Sequence, residues 1–66
     1  MRMMKKVREG VPLTKSRLSH LSGVDRSFIH WIEERGFIPY EPQLERIASA
    51  LGYDGDPHDL LEEVEV

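Results

Sequence analysis

The chain has 66 residues, a formal net charge of −3 and no cysteine. A chain of this length forms one small domain and buries only about 60% of its unfolded surface. Without cysteine it has neither a disulfide framework nor a Cys-based zinc site. No apolar run approaches the roughly 20 residues of a membrane span. No long apolar segment follows the basic start MRMMKKVREG, which argues against a secretory signal. We therefore expect a single cytoplasmic domain over residues 1–66.

The charges are distributed unevenly along the chain. Residues 1–36 contain eight basic and four acidic residues, a net charge of +4. Residues 37–66 contain one basic and eight acidic residues, a net charge of −7. A basic half beside an acidic half is typical of a molecule that turns only one side toward a polyanion such as DNA. The alternative is a chance distribution of surface charge.

The first predicted helix spans about residues 2–9. Met4 and Val7 are spaced so that both can face the core. Gly10 and Pro12 are helix breakers, and we expect the helix to end there.

Two further helices are predicted close together, over about residues 15–22 and 26–35. Thr14 can cap the first of them, because its hydroxyl can accept a hydrogen bond from a free amide of the opening turn. Gly23 ends that helix at a position where a positive φ is favoured, and Asp25 is the cap candidate for the next. Two helices that cross closely at a steep angle need small and apolar residues at helical spacing. The residues that meet this need are Leu18, Ser19, Val24, Ile29 and Ile32.

The stretch LTKSRLSHLSGVDRSFIHWIE resembles the helix-turn-helix of the Cro and phage-repressor class, the XRE family. The resemblance includes Val7-Arg8 in the first helix and LERIASALG, residues 44–52, and it covers about nine-tenths of the chain. It implies an all-α, compact five-helix lambda-repressor-like DNA-binding domain whose motif occupies about residues 14–34. It also implies a structural salt bridge between Arg8 and Glu33, which joins the first helix to the end of the recognition helix.

The resemblance places the DNA contacts at the start of the second helix and on the outward face of the third. Lys15 and Ser16 lie where the family touches phosphates, and the free amides of a helix start attract anions. Arg26 is the main base-reading candidate, because a guanidinium can bond the O6 and N7 of guanine together. Ser27 can bond a base or a phosphate. The predicted DNA-binding residues are Thr14, Lys15, Ser16, Asp25, Arg26, Ser27, His30, Trp31 and Arg35.

Three of these residues have an alternative interpretation. Trp31 can lie against a thymine methyl or a sugar edge, or it can fill a gap beside the loop at residues 37–40. His30 is more typical of a plain surface histidine than of a base contact. Asp25 is first of all an N-cap, and its charge opposes phosphate binding.

The loop after Gly36 is unusually apolar, since Phe37, Ile38 and Tyr40 follow one another where related proteins carry phosphate contacts. An apolar surface of this kind favours a protein interface. One alternative function is therefore a protein-interaction module on a helix-turn-helix fold. Another is an architectural DNA-binding factor, because WIEERGFIP resembles MerR-like and excisionase proteins. Their wing needs strands next, whereas LERIASALG predicts a helix.

The fourth helix is predicted from about Pro42 to Leu51, with an apolar stripe that belongs to the core. A last helix begins with Asp56 as its cap and Pro57 at its first position. Its apolar side is formed by Leu60, Leu61 and Val64. The acidic tail EEVEV either frays or pairs with a second subunit.

The sequence contains no constellation typical of catalysis or metal binding. The three histidines are scattered and have no cysteine partners: His20, His30 and His58. An acidic cluster lacks the twelfth-position Glu and the central Gly of a calcium loop, so helix capping is the favoured interpretation. That cluster comprises Asp54, Asp56 and Asp59. We expect no enzymatic activity, no cofactor and no metal.

The predicted function is that of a transcriptional regulator, a repressor, which binds duplex DNA sequence-specifically at the nucleoid. So few base contacts in one copy predict weak binding and poor selectivity, because each good bidentate pair discriminates by only about 1–3 kcal/mol. A homodimer on a two-fold site is therefore the expected working form.

Overall fold

This computed structural model describes residues 1–65, and Val66 lies outside them. Residues 1–65 contain four α-helices and one short 3₁₀ helix. The α-helices are α1 (Met3–Gly10), α2 (Lys15–Ser22), α3 (Arg26–Arg35) and α4 (Glu41–Leu51), and the 3₁₀ helix is Pro57–Leu61. The fold is all-helical, without a β-strand in residues 1–65, and extends over 27 × 22 × 20 Å. None of these helices has the length and apolar character that crossing a membrane requires.

Local side chains explain where α2 and α3 begin and end. The Thr14 hydroxyl accepts a hydrogen bond from the backbone N–H of Arg17 at 3.0 Å, and the Asp25 carboxylate accepts one from the N–H of Ser27 at 2.8 Å. Each side chain satisfies an amide that has no partner inside its helix. Gly23 ends α2 with φ of 71°, in the left-handed region that a glycine adopts without strain. The observed bounds of both helices agree with the predicted ones.

The core is formed by the apolar stripes of all four α-helices and the 3₁₀ helix. The helix α2 packs against α3 and α4, while the 3₁₀ helix packs against α1 and α4. This arrangement buries one side of α3 and leaves the opposite side exposed. The buried apolar residues are Met4, Leu18, Val24, Ile29, Ile32, Leu44, Ile47, Ala48, Leu51 and Leu60.

The end of the chain corrects the prediction of a fifth α-helix. The last helical element is the five-residue 3₁₀ helix Pro57–Leu61, after which the backbone extends along the chain's own start. The N–H of Met3 donates to the carbonyl of Glu62 at 2.7 Å, and the N–H of Val64 donates to the carbonyl of Met1 at 2.8 Å. These long-range bonds satisfy backbone groups that a longer helix would have used, so Val64 lies beside the N-terminus. The described part of the tail therefore pairs within its own chain.

Three carboxylates and one histidine at the start of α4 and around the 3₁₀ helix form what we call the acidic end: Glu41, Asp56, Asp59 and His58. The Asp56 carboxylate accepts hydrogen bonds from the backbone N–H and the ring Nδ1 of His58, both at 2.9 Å. The other ring nitrogen, Nε2, lies 2.5 Å from Glu41 Oε1. Asp59 accepts from the hydroxyl of Tyr53 at 2.9 Å. Asp56 and Asp59 therefore cap and brace the fold, and residues 1–65 contain no group of three or more His, Cys, Asp or Glu side chains arranged to hold a metal ion.

Candidate functional site

An open depression lies where the N-termini of α2 and α3 meet, and we call it the α2–α3 depression. Its volume is about 630 Å³. Seven of the nine predicted DNA-binding residues line it, and only Asp25 and Arg35 do not. The lining residues are Arg8, Thr14, Lys15, Ser16, Arg26, Ser27, His30 and Trp31. The predicted site is thus drawn from two helices and is largely brought together in one place.

Both helices present their N-terminal ends to the α2–α3 depression. The N-terminus of a helix carries a partial positive charge and amides without an intrahelical acceptor. The cap of α2 takes up the amide of Arg17, which leaves the amides of Lys15 and Ser16 at the rim of the depression. Each helix also opens with a cationic residue, Lys15 in α2 and Arg26 in α3. The helix N-termini and these two cationic side chains therefore both make the electrostatic potential in the depression more positive.

Two side-chain hydrogen bonds cross from α2 to α3 inside the depression. Arg26 Nη1 donates to the Ser16 hydroxyl at 3.2 Å. Lys15 Nζ lies 2.9 Å from Nδ1 of His30. A guanidinium has five N–H donors and an ammonium three, so each cation keeps donors that these bonds do not use. The cross-links fix where the two cations lie and leave them able to bind acceptors from outside.

The lining of the depression carries an excess of positive charge, because it includes three cationic residues and no Asp or Glu. One of the three, Arg8, is neutralised by the carboxylate of Glu33. The unneutralised cations of the lining are therefore Lys15 and Arg26. A concave surface with this charge attracts anions at distances up to about a Debye length.

The ion pair between Arg8 and Glu33 forms the wall behind the depression. Arg8 Nε donates to Glu33 Oε2 at 2.8 Å and Nη2 donates to Oε1 at 3.1 Å, while Nη1 donates to the carbonyl of Leu13 at 2.7 Å. The side chains are 9% and 0% exposed. The hydrogen bond that Arg8 donates to Glu33 raises the pKa of the Arg8 guanidinium. The pair joins α1 to the end of α3, as the resemblance implied. The bond to Leu13, which precedes the cap of α2, also ties the pair to the start of α2 and was not predicted.

A second ion pair, which the sequence analysis missed, lies one helical turn away. Lys5 Nζ donates to Glu34 Oε1 at 2.7 Å. This contact lowers the pKa of the Glu34 carboxyl, with smaller contributions from the nearby Lys15 and His30. The three-residue spacing of Lys5 and Arg8 on α1 puts both on one face and is the signal that would have predicted the pair. Glu34 is thus a carboxylate close to the depression whose charge is already partnered.

Trp31 belongs to an aromatic cluster with Phe28 and Phe37. The ring centroids of Phe28 lie 5.5 Å from those of both Trp31 and Phe37, and Trp31 and Phe37 are 6.3 Å apart. Trp31 remains 40% exposed and lines the depression. The two interpretations of Trp31 are therefore compatible: one part of the indole packs on the loop, and the remainder faces outward. Ile38 and Tyr40, at 63% and 77% exposed, extend the apolar surface beyond the cluster.

Asp25 and Arg35 are not lining residues of the depression, although Asp25 directly precedes Arg26. Asp25 is exposed and caps α3 through Ser27, so its side chain serves the helix end. Arg35 is the last residue of α3, at the end opposite to Arg26. Arg2, which the sequence analysis did not single out, is buried near the same end, with Nη2 3.6 Å from where a Cβ on Gly36 would lie.

The α2–α3 depression is suited to hold a polyanion that also offers hydrogen-bond acceptors and apolar groups. Helix ends and two free cations supply the attraction, Ser16 and Ser27 supply hydroxyls, and Trp31 supplies an apolar edge. Comparisons of this chain with family models, with curated proteins and with solved structures found no match.

Proposed function

We propose that this chain is a sequence-specific duplex DNA-binding protein of the helix-turn-helix type, related to the Cro and phage-repressor class, which represses transcription. In this proposal α2 and α3 are the two helices of the motif, and α3 is the recognition helix that enters the major groove. The α2–α3 depression receives the phosphate backbone and the base edges beside it.

The observation that carries the proposal is the composition of the α2–α3 depression. Residues chosen from sequence as phosphate contacts, on α2, and as base contacts, on α3, line one surface. That surface contains cations and hydroxyls and no carboxylate. A chance distribution of surface charge gives no reason for the acidic residues of a chain with net charge −3 to avoid this one concave region.

The dimensions of α3 suit a major groove. Its ten residues give a length of about 15 Å, and a helix with side chains is about 10–12 Å across, which matches a groove about 12 Å wide. Arg26, Ser27 and His30 are all exposed and near its N-terminal end, the part of a recognition helix that contacts bases. Arg26 is held by Ser16, so its guanidinium loses less rotamer freedom when it binds guanine.

A homodimer is the working form in this proposal. A single copy offers one bidentate reader, Arg26, and such a pair discriminates by only about 1–3 kcal/mol. Two copies related by a two-fold axis double the contacts and read half-sites about 34 Å apart. One copy measures 27 × 22 × 20 Å, so two adjacent copies can place their α3 helices at that separation.

The test is selection from a pool of random duplex DNA at two salt concentrations, followed by sequencing of the retained duplexes. We expect enrichment of a short two-fold motif and affinity that falls steeply as salt rises, because phosphate contacts release counterions. Absence of both enrichment and salt-dependent binding would overturn the proposal.

The exposed loop at residues 37–40 supports a second candidate function, binding of a protein partner. Ile38 and Tyr40 are 63% and 77% exposed beside the aromatic cluster, and exposed apolar patches mark interaction sites. Ile38→Ser with Tyr40→Ser separates the candidates. If the chain binds DNA through the α2–α3 depression, the double variant should keep the non-specific DNA affinity that the unmodified chain shows at low salt. If the chain is a protein-interaction module, neither the unmodified chain nor the double variant should bind DNA, and the double variant should lose binding to the protein partner.

A further inference from the structure

The hydrogen bond between Lys15 and His30 determines where the imidazole proton lies. Lys15 Nζ is 2.9 Å from Nδ1 of His30. An ammonium group donates hydrogen bonds and cannot accept them. Nδ1 must therefore be the acceptor, and a neutral His30 carries its proton on Nε2.

We propose that His30, held in this tautomer by Lys15, donates its Nε2–H to the N7 of a purine in the major groove. The proposal rests on the proposed function, since it names a contact of the same site. In this proposal His30 contacts a base and contributes to sequence specificity. Lys15 is a positioning residue, because its hydrogen bond holds the imidazole of His30 in the required tautomer.

The chemistry of a neutral imidazole suits N7. One N–H donor needs one acceptor, and N7 is the major-groove acceptor that adenine and guanine share. His30 thus distinguishes purines from pyrimidines, whereas Arg26, with two parallel donors, distinguishes guanine by O6 and N7 together. The division follows from the number of donors that each side chain presents.

The spacing on α3 gives the position of this purine relative to the guanine. His30 follows Arg26 by four residues, which is about 6 Å along the helix axis. Successive bases of one strand are about 3.4 Å apart. The purine that His30 reads therefore lies within about two base pairs of the guanine that Arg26 reads.

Lys15 joins this base contact to the phosphate backbone. Only one of its three donors is used by His30, so two remain for phosphate oxygens. A backbone contact by Lys15 thus places the Nε2–H of His30 at the same time. Replacing Lys15 by Met removes the charge and the hydrogen bond and keeps the length of the side chain.

The first test examines the free protein and needs no DNA. The ¹⁵N chemical shifts of the two ring nitrogens of His30 distinguish protonated from unprotonated nitrogen, and they are read at a pH above which they no longer change. We expect the Nε2–H tautomer in the unmodified chain and a mixture of tautomers in Lys15→Met. The matched control is Lys6→Met, an exposed lysine of α1, which leaves the His30 shifts unchanged. A predominant Nδ1–H tautomer, or shifts that do not respond to Lys15→Met, would overturn the proposal.

The second test uses a duplex retained by the random-pool selection, with each purine replaced in turn by its 7-deaza analogue. In each half-site, one position besides the guanine of Arg26 should weaken binding by about 2- to 10-fold, the effect of one neutral hydrogen bond. His30→Ala removes this contact from both half-sites, so it should weaken binding to the unmodified duplex by about the square of that factor and be insensitive to that replacement. His20→Ala, which changes a histidine of α2 outside the depression, should keep the sensitivity.

The outcomes separate the inference from the proposed function. If His30→Ala is as sensitive to every 7-deaza replacement as the unmodified chain, the N7 contact is wrong. If His30→Ala instead lowers the salt dependence of binding, the donor contacts a phosphate and the base-reading role is overturned. If no duplex binds, the proposed function and the N7 contact both fail, while the ring shifts still decide whether Lys15 sets the tautomer.

Discussion

The α2–α3 depression and the acidic end use their charges in opposite ways. At the acidic end His58 lies between the carboxylates of Asp56 and Glu41, and Asp59 accepts from the Tyr53 hydroxyl. In the depression the cations Lys15 and Arg26 bond to an imidazole and a hydroxyl, those of His30 and Ser16, and not to a carboxylate. A charge that is paired inside the molecule attracts a ligand less, whereas an excess of one sign on a concave surface is available to a ligand.

The ion pairs of the two regions also differ in burial. Arg8 and Glu33, behind the depression, are 9% and 0% exposed, whereas His58 and Glu41 are 56% and 63% exposed. When one partner of a buried pair is removed, the other partner stays charged in a place that water cannot reach. When an exposed pair is broken, water replaces the lost partner. The comparison therefore predicts large effects on stability at the first pair and small ones at the second.

The largest expected effect is that of Arg8→Ala. It leaves the buried Glu33 carboxylate unpaired and removes a hydrogen bond to the carbonyl of Leu13. We expect the free energy of unfolding to fall by about 3–5 kcal/mol, measured by urea denaturation. The matched control is Lys5→Ala, which breaks the more exposed pair with Glu34 on the same helix and should cost much less. Equal losses in the two variants would remove the distinction between buried and exposed pairs.

The next effect is on DNA affinity, at Arg26. Arg26→Ala removes the bidentate reader from each copy, so binding to the selected duplex should weaken by about 1–3 kcal/mol per half-site and specificity should relax at one base pair of each half-site. Arg46, an exposed arginine of α4, provides the control, and Arg46→Ala should leave both unchanged. Measurements by fluorescence anisotropy on duplexes with single base changes would show this. Retention of both affinity and specificity in Arg26→Ala would mean that α3 is not the recognition helix.

A smaller effect on stability is expected at the turn between α2 and α3. Gly23 has φ of 71°, and nothing lies within 4 Å of a Cβ added there, so Gly23→Ala incurs only backbone strain. We expect a loss of about 1–2 kcal/mol in the free energy of unfolding. Gly10→Ala, at a helical glycine with equally open surroundings, should instead stabilise the chain by up to about 1 kcal/mol. Two changes of the same sign and size would show that the backbone at Gly23 is not in the left-handed region.

The smallest effect is the pH dependence of stability at the acidic end. Hydrogen bonds to Glu41 and then to Asp56 raise the pKa of His58 in the folded state. A raised pKa means that the protonated imidazole stabilises the fold. The contribution is complete below the unfolded pKa of about 6.5 and is lost as the pH rises through the folded value. Asp56, whose pKa is lowered by the backbone and side chain of His58, has the opposite sign and loses its contribution as the pH falls.

The urea midpoint measured from about pH 5 to pH 8 tests this sign. The unmodified chain should lose a small part of its stability as the pH rises, and His58→Gln should remove that dependence. The control His20→Gln, on α2 and outside the acidic end, should retain it. A midpoint that rises with pH in the unmodified chain and is flat in His58→Gln would contradict the assigned pairing.

The sequence was sufficient where local chemistry decides the structure. The bounds of α2 and α3 follow from caps and from glycine, because Thr14, Asp25 and Gly23 act within a few residues of themselves. The buried stripes follow from helical periodicity. The pair of Arg8 with Glu33 came from the register of the family resemblance, since no local rule joins residues 25 positions apart.

The features that were predicted wrongly or not predicted at all depend on tertiary contacts. The fifth α-helix was predicted from the cap at Asp56 and the apolar residues after it, but backbone pairing with the chain's start ends it at Leu61. The bonds of Lys15 to His30 and of Arg26 to Ser16 require the relative placement of α2 and α3. Sequence patterns give the faces of the two helices and do not give which atoms meet across them.

The central claim is that the α2–α3 depression is the surface that binds duplex DNA. The most direct measurement is titration of the ¹⁵N-labelled chain with a short duplex at low salt, where phosphate contacts suffice for binding. We expect the largest changes in amide shifts at residues 14–16 and 26–31, at the N-termini of α2 and α3. Changes confined to residues 37–40 or to the acidic end, or no change with any duplex, would contradict it.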